Sequence, residues 1–203
     1  MRDPISERFS TGSVDEIDGG RAQEYALLAT LLSRSPDSGL ISGLARLQGD
    51  TSPIGVAHTA LGEAAGRVSE EEAAREYFVL FAGLGAGQLL PYSSHYLTGS
   101  LYGRPLARLR ETLGVLGIEK APGRSEPEDH AAMLCEIMAG LVGGGIPAPV
   151  GADRDFFEKH LLPWIRRFFV DLEHAESANF YARVGGLGRT FVDVETEAFA
   201  LMA

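Results

Sequence analysis

Apolar residues recur at intervals of three and four along most of this 203-residue chain. The clearest run contains Leu106, Leu109, Leu113 and Leu116, which share one face of a helix. No segment shows the strict alternation that is typical of a half-buried strand. The pattern therefore predicts an all-α fold, a single-domain bundle of about eight to ten helices.

Several helices can be placed from their apolar faces and boundary residues. Shorter helices are predicted at 38–47 and 53–66, and Ser69 with Glu72 forms a capping box that opens another. A further helix is predicted to start at Ser125, and Pro163 marks a kink or a start. The faces predicted to be buried are Tyr25, Leu28, Leu31 and Leu32; Ala73, Tyr77, Leu80 and Phe81; Leu134, Ile137, Met138 and Leu141; Phe157, Leu161, Trp164 and Phe168; and Phe180, Val184, Leu187, Phe191 and Val194.

The N-terminal segment, the cysteine content and the net charge indicate the compartment and the kinds of partner to expect. Residues 1–19 are polar and are predicted to form a flexible segment before a helical domain at 20–203. They contain no apolar stretch typical of a signal peptide or an anchor. The single cysteine, Cys135, fits a reducing compartment, so we expect a cytoplasmic protein. A net charge of −10 without a basic patch disfavours nucleic acid as a partner.

The segment from Glu126 to His130 is the densest group of polar residues that could carry chemistry. It contains three carboxylates and an imidazole, and Glu126 and His130 would share a face if the segment were helical. Carboxylates are also favoured in the first turn of any helix, because they complement its dipole. On residue types alone, an acid–base or metal site and a well-capped helix are equally good interpretations.

Other patterns that indicate catalysis or cofactor binding are absent from the sequence. The histidines and Cys135 form no closely spaced ligand pair, so neither a metal nor a cofactor is expected. Ser93 and Ser94 lie outside any nucleophile-elbow motif, and the glycines at 83–87 lack the context of a phosphate loop. The sequence thus predicts a binding protein rather than an enzyme.

A long aromatic loop is predicted between Gly83 and about Ser100, centred on residues 90–97. Its tyrosines, Tyr92 and Tyr96, offer flat apolar faces with polar hydroxyls, which are good anchors for a bound peptide. The alternative is that both rings pack onto the bundle. The periodicity does not decide between the two.

Four stretches of the chain resemble the TorD/DmsD family of redox-enzyme maturation chaperones, which is related more distantly to nitrate-reductase assembly chaperones. The order and spacing of these stretches, over about residues 70–195, carry the resemblance. They are Glu76-Tyr77-Phe78-Val79-Leu80-Phe81-Ala82-Gly83; Pro91-Tyr92-Ser93-Ser94-His95-Tyr96; Glu126-Pro127-Glu128-Asp129-His130; and His160-Leu161-Leu162-Pro163-Trp164 with Phe180-Tyr181.

The resemblance implies a cytoplasmic, all-helical chaperone that binds the apo catalytic subunit of a molybdenum or tungsten oxidoreductase. Binding is often at a twin-arginine signal peptide, and the client is held for cofactor insertion before export or assembly. Relatives include monomers and domain-exchanged dimers. The implied peptide-binding residues are Tyr77, Pro91, Tyr92, Tyr96, Glu126, Asp129 and His130, with carboxylates such as that of Asp129 pairing with the arginines of the peptide.

Two other functions remain open from the residues alone. One is a small helical hydrolase that uses Glu126, Asp129 and His130 as acid and base or as metal ligands, which requires a deep pocket. The other is a scaffold without a peptide cleft.

Overall fold

The computed structural model describes residues 16–83, 87–119 and 126–201. These ranges contain ten α-helices and no strand. Two of the helices, α4 and α8, continue into single π-helical turns at Phe78–Ala82 and Phe157–Leu161. The ten helices are α1 Glu16–Ser33, α2 Ser38–Leu44, α3 Pro53–Ala65, α4 Glu70–Tyr77, α5 Ser93–Thr98, α6 Arg104–Val115, α7 Ala131–Val142, α8 Ala152–Phe156, α9 Ile165–Glu173 and α10 Phe180–Leu201. The predicted all-α fold is confirmed.

The bundle is organised around three helix pairs. The most extensive packing joins α1 to α7, α9 to α10, and α10 to α3. No helix in the described ranges is both long and apolar enough to cross a bilayer. The core that the three pairs enclose is rich in aromatic side chains. The largest fully buried side chains are Trp164, Tyr25, Tyr181, Phe156, Phe157, Phe168, Phe169 and Phe180.

Local capping explains several of the helix starts. The predicted capping box is present: the Glu72 N–H donates to Ser69 Oγ at 3.2 Å, and the Ser69 N–H donates to the Glu72 carboxylate at 2.9 Å. Asp37 and Ser52 cap α2 and α3 in the same way through their side-chain oxygens. Each cap satisfies backbone donors that the first turn of a helix leaves unpaired.

The start of α1 lies earlier than the sequence predicts. Residues 16–19, expected to belong to the flexible N-terminal segment, are helical. Asp18 forms an ion pair with Arg21 at 2.7 Å, and Arg21 is in turn bound to Glu195 of α10. These two contacts stabilise the first turn of α1. Residues 1–15 of that predicted segment lie outside the described ranges.

Two predicted boundaries around the aromatic loop are wrong. Residues 93–98 form α5, not a loop, because Asp129, which is distant in sequence, accepts hydrogen bonds at the start of this helix. The helix predicted to start at Ser125 begins only at Ala131, since the preceding residues pair with segment 91–93. Glu126 and His130 therefore do not share a helix face. Residues 84–86 and 120–125 of the predicted glycine break and linker lie outside the described ranges.

In the C-terminal helix, one position that was predicted to face the core is exposed. Val194 is 41% exposed, whereas Glu195 is buried in its place. The inward stripe of α10 continues through Phe191, Glu195 and Phe199, so that spacing by four displaces Val194 to the outside. Its three glycines lie within a regular helix, where they allow close contact with α9.

His58 and Glu24 join α3 to α1 through a bond between His58 Nε2 and Glu24 Oε2 at 2.8 Å. This hydrogen bond, against a smaller opposing effect of burial, raises the pKa of His58 above its ordinary value. The stabilisation is fully present below the unfolded pKa of about 6.5 and is lost as the pH rises through the higher folded pKa.

We therefore expect the difference in unfolding free energy between wild type and His58→Gln to shrink by up to about 1 kcal/mol between about pH 6 and pH 9. Urea denaturation at a series of pH values measures this difference. The control is Val56→Ala, which changes an exposed side chain of α3 that carries no titratable group and should leave the pH dependence of the wild type unaltered. A constant difference for His58→Gln would contradict the assignment.

Candidate functional site

Two segments that are far apart in sequence pair in antiparallel fashion at one edge of the bundle. The Ser93 N–H donates to the Asp129 carbonyl at 3.0 Å, and the Ala131 N–H donates to the Pro91 carbonyl at 2.8 Å. Pro91 itself is buried. The pairing satisfies backbone groups just before α5 and α7 and locks the starts of these helices together.

Tyr92 and His130 form the bridge between these segments, and their rings meet edge to face with centroids 5.0 Å apart. The Tyr92 hydroxyl donates a hydrogen bond to the carboxylate of Glu126, which is exposed. Burial, together with this bond and the negative charge, raises the pKa of Tyr92 well above its ordinary value. The phenol thus stays protonated and donates to Glu126 throughout the neutral range.

His130 caps the start of α7. Its Nδ1 accepts a hydrogen bond from the Ala132 N–H at 3.1 Å, and burial lowers the pKa of the ring. A neutral ring whose Nδ1 accepts carries its proton on Nε2. The ring therefore has a structural role at the start of α7.

Asp129 is fully buried and is directed at α5 rather than at the surface. Its Oδ2 accepts hydrogen bonds from the Ser94 N–H at 2.8 Å and from the Ser93 hydroxyl at 3.3 Å. Its Oδ1 has no partner within the described ranges. In this position Asp129 supports α5, whereas the carboxylate of Glu126 is exposed at the surface.

Tyr77 lies on the side of the site that faces α10. Its ring contacts those of Phe81 and Tyr181, with centroids 5.0 and 5.8 Å away, and its hydroxyl donates to the Leu32 carbonyl at 3.3 Å. Burial and the nearby charge of Glu126 raise its pKa. Tyr77 is half-buried and ties α4 to α1 and α10 next to the site.

The structure places Tyr96 away from this group, on the face of α5 that packs against α9. Its ring lies 5.4 Å from that of Trp164, and its hydroxyl donates to Asp171 at 3.0 Å. The guanidinium of Arg167 lies 5.5 Å from the centre of the ring. Of the two alternatives for the loop tyrosines, Tyr96 packs onto the bundle, whereas Tyr92 contributes to the surface.

Comparison with known proteins shows the family to which this chain belongs. Residues 48–170 match the family described as the nitrate reductase delta subunit. The chain belongs to this family. The matched range includes every residue of the expected site, from Tyr77 to His130.

Among curated relatives, the chain is 28% identical over 130 residues to the chaperone protein TorD of Vibrio cholerae, a match that covers 60% of this chain and 59% of the relative. It is also 28% identical over 139 residues to TorD of Aliivibrio fischeri, covering 64% and 65% of the two chains. The chain thus spans about three fifths of the length of the curated relatives that it matches. The expected resemblance to TorD-like proteins is confirmed.

Among solved structures, a protein from Archaeoglobus fulgidus assigned to redox enzyme maturation is similar to this chain, with a TM-score of 0.57. The two are 22% identical, and the match covers 85% of this chain and 93% of that chain. This similarity shows that the helical fold is shared.

Most polar groups of the site are engaged in hydrogen bonds that hold the structure. Asp129 and the Nδ1 of His130 are engaged with backbone N–H groups, and Glu126 lies at the surface with Tyr92. Burial raises the pKa of the Cys135 thiol to about 12, which disfavours the reactive thiolate. The described ranges contain no cluster of three potential metal ligands. In the catalytic interpretation of Glu126, Asp129 and His130, the last two residues would need side-chain atoms that already accept hydrogen bonds from the backbone.

Sequence reasoning missed two residues next to the site. Arg110 of α6 binds the carboxylate of Glu128 through Nη2 at 2.8 Å, which fixes the segment before α7. Tyr102 is 58% exposed, and its N–H donates to Ser94 Oγ at 3.0 Å. The glycines that flank Tyr102, Gly99 and Gly103, were a sequence signal for an unusual turn there.

Proposed function

We propose that this protein is a chaperone for the maturation of a redox enzyme. It binds the apo catalytic subunit of a molybdenum or tungsten oxidoreductase and holds it for cofactor insertion before export or assembly. We place this activity in the cytoplasm, with the twin-arginine signal peptide of the client as the bound segment. The observation that carries the proposal is the exposed Glu126 carboxylate, held by the Tyr92 hydroxyl in a chain of the nitrate reductase delta subunit family.

The chemistry of this surface suits an arginine-containing peptide. A carboxylate pairs with a guanidinium through charge-assisted hydrogen bonds, which are about twice as strong as neutral ones. The Tyr92 ring offers an adjacent aromatic face on which a guanidinium or an apolar side chain can pack. The net charge of −10 favours the approach of a basic segment.

The supporting residues keep these groups in position. Asp129 holds the start of α5, His130 holds the start of α7, and the pairing of their backbones places Tyr92 beside Glu126. Substitution of Asp129 should therefore weaken binding indirectly, through a displaced α5, and should also lower the melting temperature. A contact residue such as Glu126 should affect binding alone.

The direct test is co-purification of the tagged protein from cells that express its candidate client enzymes, followed by mass spectrometry. We expect recovery of the precursor of one molybdenum or tungsten oxidoreductase. Recovery of no redox enzyme under these conditions would overturn the proposed function.

The site itself is tested with synthetic peptides of the client N-terminus. We expect Glu126→Gln to weaken binding of the arginine-containing peptide about tenfold or more, because a charge-assisted bond is replaced by a neutral one. The loss should be smaller at high salt, where the charge is screened. Calorimetric titration measures the dissociation constant.

The matched control is Glu197→Gln, an exposed glutamate on α10 that lies outside the matched family range. It removes the same charge and should leave the dissociation constant unchanged. Equal effects of the two substitutions would assign the attraction to overall charge and would remove Glu126 from the site.

A further inference from the structure

A groove of about 740 Å³ lies on the surface away from the candidate site. Its walls are the end of α6, the loop at 147–151 between α7 and α8, and α8 with the π-helical turn that follows it. The candidate site lies at the start of α7, whereas this loop follows its end, and α7 is about 18 Å long. The groove is therefore separate from the surface around Tyr92 and Glu126.

The groove exposes apolar side chains to solvent. Val115 of α6 is 88% exposed and Val150 of the loop is fully exposed, although both line the same concave surface. The other apolar residues that line it include Leu116, Pro147 and Pro149. Apolar groups that are gathered in this way at the surface are typical of a binding site.

Among the described residues, one carboxylate at the rim of the groove has no counter-ion. On the α8 side, Arg154 pairs with Glu158 at 2.8 Å and Lys159 pairs with Asp155 at 3.1 Å. On the α6 side, Glu111 is exposed and forms no ion pair within the described ranges. The groove thus complements a segment in which a cation lies next to an apolar residue.

The start of α1 lies close to this groove. Arg21 of α1 binds Asp153 of α8 at 3.3 Å, and it also binds Asp18 in the first turn of α1. The two neighbours of Asp153 in the sequence, Ala152 and Arg154, line the groove. Because a helix is about 10 Å wide, the start of α1 is on the order of 10–20 Å from the groove.

The segment that precedes α1 has the complementary sequence. Residues 1–15 lie outside the described ranges, and they include Phe9, which directly follows Arg8, and Ile5, four positions earlier. Phe9 lies seven positions before Glu16. An extended chain covers about 3.3 Å per residue, so Phe9 can reach roughly 23 Å from the start of α1. This reach includes the groove.

We propose that residues 5–9 dock in this groove of their own chain, with Phe9 against Val115 and Val150 and with Arg8 paired with Glu111. Covalent attachment through a short segment gives an effective concentration in the millimolar range, so a weak intrinsic affinity is enough to keep the segment bound. The inference does not depend on the proposed function, because the groove takes the chain's own N-terminal segment and not a client.

Disulfide cross-linking of the full chain tests this placement. The variant Ser10→Cys/Val150→Cys keeps Phe9 and should form an intramolecular disulfide under mild oxidation, which mass spectrometry of the unreduced protein detects. Adding Phe9→Ser to this variant should slow the reaction about tenfold, because the docked segment loses its anchor. The native Cys135 is buried and does not compete for the new thiols.

The matched control is Ser10→Cys/Val194→Cys. Val194 is 41% exposed and adjoins Glu195, which binds Arg21, so it lies near the start of α1 but does not line the groove. We expect its disulfide to form about tenfold more slowly than the one at position 150, since chance encounters alone bring the thiols together.

Trypsin cleavage after Arg8 measures docking without new cysteines. Val115→Ser/Val150→Ser, which changes only exposed side chains, should accelerate this cleavage about tenfold, because the rate follows the undocked population. Cleavage after Arg2, outside the docked residues, should be unchanged.

Equal disulfide rates at positions 150 and 194, or equal cleavage after Arg8 in wild type and Val115→Ser/Val150→Ser, would overturn the inference. Disulfides that join two chains and increase with protein concentration would place the segment in the groove of a second copy, which also overturns docking within one chain. Each of these outcomes leaves the proposed function standing, since that function is tested by recovery of a client.

Discussion

Replacement of Glu195 by alanine is expected to lower the free energy of unfolding by about 3–5 kcal/mol. Glu195 is 1% exposed, and its carboxylate accepts two hydrogen bonds from Arg21, at 2.7 and 2.9 Å, and one from the Tyr25 hydroxyl at 3.0 Å. Burial by itself would lower the pKa of Arg21, but the bonds and charge of Glu195 raise it. Without Glu195, a largely buried cation and a buried hydroxyl lose their principal partner.

Denaturation by urea, monitored by circular dichroism, measures this loss. Glu63→Ala is the control: it removes a carboxylate from an exposed pair with Arg67, and its effect should stay below about 1 kcal/mol. The double variant Arg21→Met/Glu195→Leu should lose less than Glu195→Ala, because no unpaired charge remains in the interior. Equal losses for Glu195→Ala and Glu63→Ala would contradict the role of the buried network.

Gly185→Ala is expected to destabilise the protein by about 3 kcal/mol, which is large for the addition of one methyl group. A Cβ at Gly185 would lie 2.4 Å from the Glu173 nitrogen and 2.9 Å from the Phe169 carbonyl oxygen. Both are backbone atoms of the α9 region, so no side-chain rotation relieves the contact. The helices α9 and α10 must move apart, and the aromatic core between them loosens.

The control for this substitution is Gly114→Ala in α6, where a Cβ meets nothing within 4 Å. Alanine favours the helix over glycine, so this variant should gain about 0.5–1 kcal/mol. Thermal unfolding of the two variants side by side gives the contrast. A stabilised Gly185→Ala would show that α9 and α10 do not pack as closely as described.

The fold was predictable where the determinants are local. The capping box at Ser69 and the leucine spacing of Leu106, Leu109 and Leu113 specify their helices within a few residues of sequence. The prediction was wrong where the start of a helix depends on a residue that is distant in sequence. Residues 93–98 have no cap of their own, and α5 forms because Asp129 supplies one across the fold.

The sequence predicted which residues come together at the candidate site, but it did not predict which of them are exposed and which support the structure. Tyr92, Glu126 and His130 were expected together, and the structure brings them together. Peptide binding by these residues remains a prediction. Asp129 was expected to face the peptide, but its buried carboxylate supports α5, and Tyr96 packs on α9. A sequence pattern names residue types, whereas burial and orientation depend on helices that it does not position.

The sequence by itself determined the all-helical class, the positions of most helices and the family, because periodicity, caps and spaced motifs are properties of short segments. Only the tertiary structure decided which carboxylate is accessible, since Glu126 and Asp129 differ in burial and not in chemistry. It also decided the backbone conformation of Tyr102, because its positive φ arises from the turn between α5 and α6. These features depend on long-range packing, which sets the exposure and strain of each side chain.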